Sequence, residues 1–168
     1  MTEDIPGEGL VLVPVPDDRI DAILAGDLGA YVAAPGWPRD DTVAALSFRS
    51  RRGMSWLVGV DGVIVGELGT KGPLDAPGGV EIGYGLAAQS RGQGIGTRAV
   101  AALVDWLEAH DEVRRVYAHV NPDNVASSRL LLRLGFRHVG HEEGEDVYER
   151  PNPPGEPRGS SGKVHLSP

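Results

Sequence analysis

The sequence predicts a mixed α/β domain in which antiparallel strand pairs precede one parallel β-α-β unit. Two apolar runs flank Asp61-Gly62, a dipeptide typical of a type I′ hairpin turn because both positions take a positive φ. Further on, the apolar segment Val80–Leu86 leads into a glycine-rich loop and a long helical pattern, and Val116–Val120 follows as a buried strand. A last pair of strand-like runs surrounds Glu143-Gly144-Glu145. Hairpins with one crossover exclude a doubly wound parallel sheet.

The beginning of the chain predicts a strand followed by a helix. Leu10–Val15 is the strand, and Pro14 and Pro16 end it. Asp17 or Asp18 is expected to cap a helix over Arg19–Ala25. The residues expected to face inward are Ile20, Ile23 and Leu24.

The next segment predicts a loop and a second helix. Leu28–Pro38 is rich in Gly and Pro and contains Trp37, so we expect a loop there. Asp40 or Asp41 is expected to cap a helix across Val43–Arg51. The residues expected to be buried are Val43, Leu46 and Phe48.

The middle of the chain predicts the hairpin and the central strand. Ser55–Val60 and Val63–Leu68 form the hairpin, and Lys71–Gly79 is a loop. Val80–Leu86 then runs antiparallel to the strand before it. The helix that follows is expected over Gly94–His110.

The last elements are a strand, a helix and a hairpin. After Val116–Val120, Asn124 or Ser127 begins a helix that continues to Leu134, and Gly135 is a natural residue to end it. The final hairpin spans 136–150. We therefore divide the chain into a single domain, 1–150, and a Pro/Gly/Ser-rich tail, 151–168.

Composition narrows the class of protein. A chain of 168 residues suits one domain, and a net charge of −8 argues against broad nucleic-acid binding. The sequence has no cysteine, which excludes disulfides and thiolate chemistry. No apolar run approaches the ~20 residues that span a bilayer, so we expect a cytoplasmic protein that binds neither membrane nor nucleic acid. A homodimer is compatible with the pattern.

The glycine-rich loop Arg91–Thr97 predicts an anion site, because a helix begins there and glycine lets backbone N–H groups approach a ligand. Thr97-Arg98 stands where a P-loop has Lys followed by Ser or Thr. The spacing G-x-G-x-G also departs from the dinucleotide fingerprint, and the next strand ends in Asn121-Pro122 rather than in an acidic residue. Arg91, Gly94 and Gly96 match instead the pyrophosphate loop R/Q-x-x-G-x-G/A of acyl-CoA N-acyltransferases.

With three further pieces in order, the chain resembles the GNAT superfamily of N-acetyltransferases. These are the strand with Glu-Ile-Gly-Tyr (81–84), the segment Asn121–Ser127 and Leu-Gly-Phe (134–136). The resemblance covers Trp56–Glu149 well and is most similar in style to the branch of ribosomal-protein N-terminal acetyltransferases. It implies a central parallel strand pair that splays apart, with helices on both sheet faces and acyl-CoA wedged between the strands.

The resemblance also implies the cofactor site and the reaction. Acetyl-CoA is the expected co-substrate, no metal is expected, and the acceptor is a small-molecule or peptide amine acetylated in a ternary complex. Asn124 and Ser127 match positions that reach the pantetheine arm, although capping explains them equally well. The backbone of Leu86, Ala87 and Ala88 is expected to bind the pantetheine and the thioester carbonyl. The expected pyrophosphate contacts are Arg91, Gly92, Gln93, Gly94, Ile95, Gly96 and Thr97.

Glu81 is the candidate general base, since part of the family carries a glutamate on this strand. Glu81, Gly83 and Gly85 share one face of the strand, which leaves room for a ligand. An exposed strand residue or a salt-bridge partner is the alternative, and Glu67 is the second candidate.

One departure concerns the general acid. Many members have a tyrosine where this chain has Leu131. Either the thiolate leaves without an acid, or Ser127, Ser128 or Tyr84 serves. The departure keeps two alternatives open: a catalytically silent acyl-CoA-binding or interaction module, and a transferase for another acyl donor.

The remaining conspicuous side chains are expected to be structural. Trp37 fits a core anchor slightly better than an acceptor-pocket wall. His119 fits a core or rim position, and His138 and His141 have no third ligand nearby in sequence, so we expect no metal site.

Overall fold

The computed structural model describes residues 3–49 and 53–153. Within these ranges no helix is long and apolar enough to cross a bilayer. Short 3₁₀ turns precede the first helix and the glycine loop. The elements are, in chain order, β1 (Ile5–Gly7), β2 (Leu10–Pro14), α1 (Ile20–Leu24), β3 (Val32–Ala33), α2 (Asp40–Arg49), β4 (Ser55–Val60), β5 (Val63–Thr70), β6 (Gly79–Leu86), α3 (Ile95–Glu108), β7 (Arg115–Val120), α4 (Val125–Arg133), β8 (Arg137–Glu142) and β9 (Glu145–Pro151).

The strands form one mixed sheet in the order β1-β2-β4-β5-β6-β7-β9-β8. Neighbours along this order pair antiparallel except β6 and β7, which are parallel and joined through α3. The two-residue β3 adds a short parallel pairing to β5, off the main order. The predicted mixed, mostly antiparallel α/β fold with a central parallel pair is confirmed.

The central parallel pair separates after its first three residues. Gly79, Val80 and Glu81 of β6 pair with Arg115, Val116 and Tyr117 of β7. Beyond that point β6 pairs with β5 alone, and β7 pairs with β9 alone. The two strands therefore enclose a V-shaped gap that opens toward their carboxyl ends, as the resemblance implied.

Helices pack on both faces of the sheet. Trp56 of β4 contacts Trp106 of α3 with ring centroids 5.3 Å apart. Leu68 of β5 lies opposite Trp56 and shares its face of the sheet. The adjacent residue, Glu67, points to the other face and contacts Thr42 of α2. Since successive side chains of a strand point to opposite faces, α2 and α3 lie on opposite sides. Below, the two faces are called the α2 face and the α3 face.

One turn and one helix end follow the sequence closely. Asp61 and Gly62 have φ values of 49° and 79°, as a type I′ turn requires, so the predicted hairpin is confirmed. Gly135 has a φ of 83° and ends α4. The Phe136 N–H donates to the Leu131 carbonyl at 3.0 Å, which is the long bond of a Schellman motif.

The beginning of the chain departs from its prediction. An unpredicted strand, β1, forms a hairpin with β2. The predicted caps Asp17 and Asp18 are wrong, because a 3₁₀ turn precedes α1 and neither end has a side-chain cap. Val43 is 44% exposed rather than buried, whereas Leu46 is fully buried.

Part of the prediction falls outside the described residues. The side chain of Phe48, the predicted helix end at Arg51 and the tail from residue 154 onward lie there.

Candidate active site

The edge of β6 that borders the gap carries backbone groups for an extended ligand. The Glu81 carbonyl accepts from the Lys71 N–H at 2.8 Å, on the β5 side. Peptide groups alternate in direction along a strand, so Ile82, Tyr84 and Leu86 direct their N–H and C=O groups toward the gap. An amide-containing chain that enters the gap would find a strand edge to pair with.

The end of this edge is held by two guanidinium groups. Arg39 Nη1 and Arg91 Nε donate to the Leu86 carbonyl, at 3.0 and 3.2 Å. Ala87 is fully buried and its N–H donates to a β5 carbonyl at 2.8 Å, whereas Ala88 is exposed in the 3₁₀ turn that follows. Of the three predicted pantetheine-binding residues, Ala88 is exposed, the Leu86 carbonyl already accepts from the two arginines, and the Ala87 N–H is used within the sheet.

The three glycines of the loop are needed for different physical reasons. Gly92 and Gly94 have φ values of 74° and 75°, and a Cβ at either position would meet no atom within 4 Å. Their backbone therefore faces open space in a conformation that favours glycine. A Cβ on Gly96 would lie 3.2 Å from Leu130 and 3.3 Å from Leu86, so this glycine lets α3 pack closely.

The loop ends in a helix N-terminus suited to an anion. Gly94 is the N-cap of α3 and supplies no side-chain cap. The Arg98 N–H donates to the Gly94 carbonyl at 3.2 Å, so the N–H groups of Ile95, Gly96 and Thr97 precede the first intrahelical bond. The helix dipole adds positive potential there. Arg91 and Gln93 lie exposed beside these donors, and the Gln93 amide donates to the Gln89 carbonyl at 3.1 Å.

On the side of α4 the predicted residues act as a cap. Asn124 Oδ1 accepts from the Ser127 N–H at 3.2 Å, and Asn124 is the N-cap of α4. Ser127 is half-buried. This arrangement supports the capping role of Asn124 at the start of α4.

Glu81 lies where β6 and β7 separate, and it has two cationic or titratable neighbours. Its Oε1 is 3.1 Å from Lys71 Nζ and 3.0 Å from His119 Nδ1. The other imidazole nitrogen, Nε2, lies 3.5 Å from Glu142 Oε2. Glu81 and His119 are each about one-fifth exposed, whereas the Glu142 side chain is 69% exposed. The sequence did not single out this pair, because the two residues lie 38 positions apart.

The second base candidate, Glu67, is buried in a network on the α2 face. It is 3% exposed, and Trp37 Nε1 donates to its Oε2 at 2.8 Å. The Thr42 hydroxyl donates to its Oε1 at 3.2 Å. A Cβ on Gly85 would come within 2.9 Å of Glu67 Oε1 and 3.4 Å of Arg39 Nη1. Trp37 is thus an anchor that joins the predicted loop to the sheet, next to the end of β6.

Two residues that bear on the identity of the general acid, Leu131 and Tyr84, have buried side-chain groups. Leu131 is fully buried and belongs to the core. The Tyr84 hydroxyl is buried, and it makes no hydrogen bond within the described residues. Burial raises the pKa of Tyr84 above its ordinary value.

The open sheet surface beside the gap carries a negative field. Burial raises the pKa of Tyr117, and the carboxylates of Glu81 and Asp75 raise it further. Asp75 and Glu149 both pair with Arg115 on the same strand as Tyr117. In the part of the chain that the structure describes, no group of three His, Cys, Asp or Glu side chains has the arrangement of a metal site.

Comparison with known proteins finds relatives of this chain by sequence and by structure. The model of the acetyltransferase (GNAT) domain family matches residues 10–137. Phosphinothricin N-acetyltransferase of Streptomyces coelicolor is 46% identical over 61 residues, which are 36% of this chain and 35% of that protein. The [ribosomal protein uS5]-alanine N-acetyltransferase of Escherichia coli is 30% identical over 60 residues, 36% of this chain and 31% of that protein. The chain thus matches about a third of the length of these curated relatives.

The fold is similar to solved structures over nearly the whole described chain. The ribosomal L7/L12 alpha-N-protein acetyltransferase RimL, solved in complex with coenzyme A, superposes with a TM-score of 0.66 at 21% identity. The alignment covers 89% of this chain and 98% of that one.

Proposed function

The chain belongs to the acetyltransferase (GNAT) domain family, whose model covers most of its length, and we propose that it transfers the acetyl group of acetyl-CoA to a primary amine by direct transfer in a ternary complex. The observation that carries this proposal is the gap between β6 and β7, which leads from Glu81 to the glycine loop. One continuous cleft thus offers a strand edge for amides and a helix N-terminus for phosphates.

The residues of the cleft fit acetyl-CoA. Gly92 and Gly94 leave open space above a backbone with positive φ, and the N–H groups that begin α3 precede the intrahelical ladder. The pyrophosphate would be held by Arg91 to Thr97, with Arg91 adding a charge-assisted contact. The pantetheine would lie along the free edge of β6, near Asn124 and Ser127. When bound, acetyl-CoA supplies an activated thioester.

The chain's own residues would handle the amine. Glu81 Oε1 is occupied by Lys71 and His119, whereas Oε2 accepts no hydrogen bond from any residue that the structure describes. A carboxylate oxygen directed to an approaching ammonium orients it and favours its entry. The ammonium must lose one proton to become a nucleophilic amine. The transfer then forms a C–N bond, breaks the C–S bond with CoA leaving as the thiolate, and releases a second proton from the nitrogen. Both protons pass to the pair formed by Glu81 and His119 and from there to water.

The acceptor side favours a cationic amine. Glu81, Glu142 and Asp75 lie on the face that opens beside the gap, and all three raise the pKa of Tyr117. Because relatives include enzymes named for a ribosomal-protein alanine and for phosphinothricin, a peptide α-amine and a small-molecule amine are both acceptors to test. The domain limits, a homodimer and a cytoplasmic location stay predictions.

The test is thiol release from acetyl-CoA across a panel of amines. The panel contains peptides with a free α-amine, lysine, a polyamine, an aminoglycoside and phosphinothricin. We expect amine-dependent thiol release, with mass spectrometry detecting one added acetyl group on the acceptor. Acetyl-CoA binding without release for any amine would favour a silent acyl-CoA-binding module. Faster release with a longer acyl chain would favour another donor.

A further inference from the structure

We propose that His119, oriented by Glu81, is the group that accepts the amine proton, and that Glu81 is its positioning residue. This inference rests on the proposed function and refines it. It makes His119 of β7, which the sequence indicated as structural, a catalytic residue.

The position of His119 carries the first step of the inference. Tyr117 is the last residue of β7 that pairs with β6, and it pairs with Glu81. His119 lies two residues further on the same face. Its hydrogen bond to Glu81 therefore crosses the gap at the apex, where the two strands part. A thioester drawn into the gap by the edge of β6 would approach this apex.

The partners of the ring carry the second step. An ionised carboxylate can only accept, so the Nδ1 that lies 3.0 Å from Glu81 Oε1 is the protonated nitrogen. In the neutral ring this leaves Nε2 without a proton and able to accept one. Lys71 Nζ, 3.1 Å from the same carboxylate oxygen, holds Glu81 in place.

The free side of the ring carries the third step. Nε2 faces Glu142 across 3.5 Å, and the Glu142 side chain is 69% exposed on the edge strand β8. A contact of that length with an exposed surface carboxylate is weak. An incoming ammonium can replace it, attracted by Glu142, and place its own proton against Nε2.

The chemistry favours the imidazole over the carboxylate as the base. An ordinary imidazole has a pKa near 6.5 and an ordinary glutamate near 4.3, and a base works best with a pKa close to the working pH. The incoming ammonium first gives one proton to His119 Nε2, and the ring passes that proton to water. The neutral amine then attacks the thioester carbonyl, and its second proton moves to Nε2 as the C–N bond forms. The C–S bond breaks and CoA leaves as the thiolate, and His119 then loses the proton to water beside Glu142.

Several charged or polar groups from neighbouring strands face His119. Glu81 contributes from β6, Glu142 from β8, and Lys71 acts through Glu81. The Tyr117 ring lies 5.9 Å from the imidazole on β7 itself, while β9 places Val147 opposite. Further along the same surface Arg115 forms ion pairs with both Asp75 and Glu149.

Kinetics of three variants test the assignment. His119→Gln should lower kcat by about a hundredfold or more, the usual contribution of a general base, with an unchanged Kd for acetyl-CoA. The acidic limb of its kcat/KM profile, due to the imidazole, should disappear. Glu81→Gln should lose less, because the amide oxygen can still accept from Nδ1. The control His138→Gln removes an imidazole that is 51% exposed and bonded to Asp146, and it should behave like the wild type.

Two further readouts separate a catalytic role from a structural one. Added imidazole should restore part of the activity of His119→Ala. Nitrogen NMR of the ligand-free wild type should find His119 protonated on Nδ1 and bare on Nε2, with the signal assigned by its loss in His119→Gln.

Three results would overturn the inference alone: wild-type kcat and pH profile in His119→Gln, a greater loss in Glu81→Gln than in His119→Gln, or an Nε2–H tautomer. A wild-type protein that neither binds acetyl-CoA nor acetylates any amine would overturn the proposed function together with this inference.

Discussion

The two walls of the cleft are built in different ways. The cofactor wall comes from the glycine loop and the starts of α3 and α4, and its bonds are local: Asn124 caps a residue three positions on. The acceptor wall joins distant segments, because Trp37 binds Glu67 across 30 positions, His119 binds Glu81 across 38 and Arg39 binds Leu86 across 47. The cofactor wall exposes backbone groups, whereas the acceptor wall is held together by contacts of buried side chains. We therefore expect binding of acetyl-CoA and binding of the amine to respond to different substitutions.

The largest expected effect concerns the core under the cofactor wall. Leu131 is fully buried, and its neighbour Leu132 is 53% exposed on the same helix. Leu131→Ala should lower the free energy of unfolding by about 2 to 5 kcal/mol, because it leaves a cavity. Leu132→Ala should change it by less than about 0.5 kcal/mol. Urea unfolding of both variants measures this difference.

Equal effects of the two leucine variants would break the description of α4 as a helix with one buried face. A selective loss of kcat in Leu131→Ala, with no loss of stability, would instead indicate that this position acts in catalysis.

A smaller effect is expected in the acceptor wall. Trp37→Phe removes the donor to the buried Oε2 of Glu67, which should cost about 1 to 3 kcal/mol of unfolding free energy. It should also raise the KM for the amine while the Kd for acetyl-CoA stays constant. The control Trp106→Phe, on the α3 face against Trp56, should leave the KM for the amine unchanged.

If Trp37→Phe weakened acetyl-CoA binding as strongly as it raised the KM for the amine, the two walls would not be separable.

The smallest effect is expected at the boundary between the walls. The Tyr84 hydroxyl is buried without a hydrogen bond within the described residues, so Tyr84→Phe should change the unfolding free energy near pH 7 by less than roughly 0.5 kcal/mol. Because burial raises the pKa of Tyr84 in the folded state, stability is complete below the unfolded value, near 10, and is lost as pH rises toward the folded value. The variant should lose less stability at alkaline pH, as measured by unfolding titrations.

A fall in kcat of Tyr84→Phe, with acetyl-CoA binding intact, would instead identify this hydroxyl as the proton donor to the departing thiolate.

The cofactor wall was predictable because its determinants are short-range. An N-cap and a C′ glycine each act within one helical turn, and Asn124 and Gly135 at the two ends of α4 adopt the predicted conformations. The Asp61-Gly62 turn, which lies outside this wall, was predictable for the same reason. The glycine loop was predictable for a related reason, since Gly92 and Gly94 need positive φ whatever the surroundings. Their contacts with acetyl-CoA stay predictions.

The acceptor wall was not predictable because its contacts depend on the final packing. Nothing in the local sequence says that Trp37 donates to Glu67, or that His119 lies against Glu81. The errors near the N-terminus have a similar cause. Asp17 and Asp18 are good caps by propensity, but they lie within a 3₁₀ turn that precedes α1. Val43 lies on the exposed side of α2 although it is apolar.

Calorimetric titration with acetyl-CoA tests the central claim most directly, by comparing Gly94→Ala with Gly62→Ala. Both glycines have nearly the same φ, 75° and 79°, and a Cβ at either meets no atom within 4 Å, so the two substitutions impose similar backbone strain. Only Gly94 lies at the start of α3 in the cleft. We predict binding by the wild type and by Gly62→Ala, and a loss of about tenfold or more, near 1.4 kcal/mol, in Gly94→Ala. Equal affinities in the two variants, or no binding by the wild type, would contradict the account.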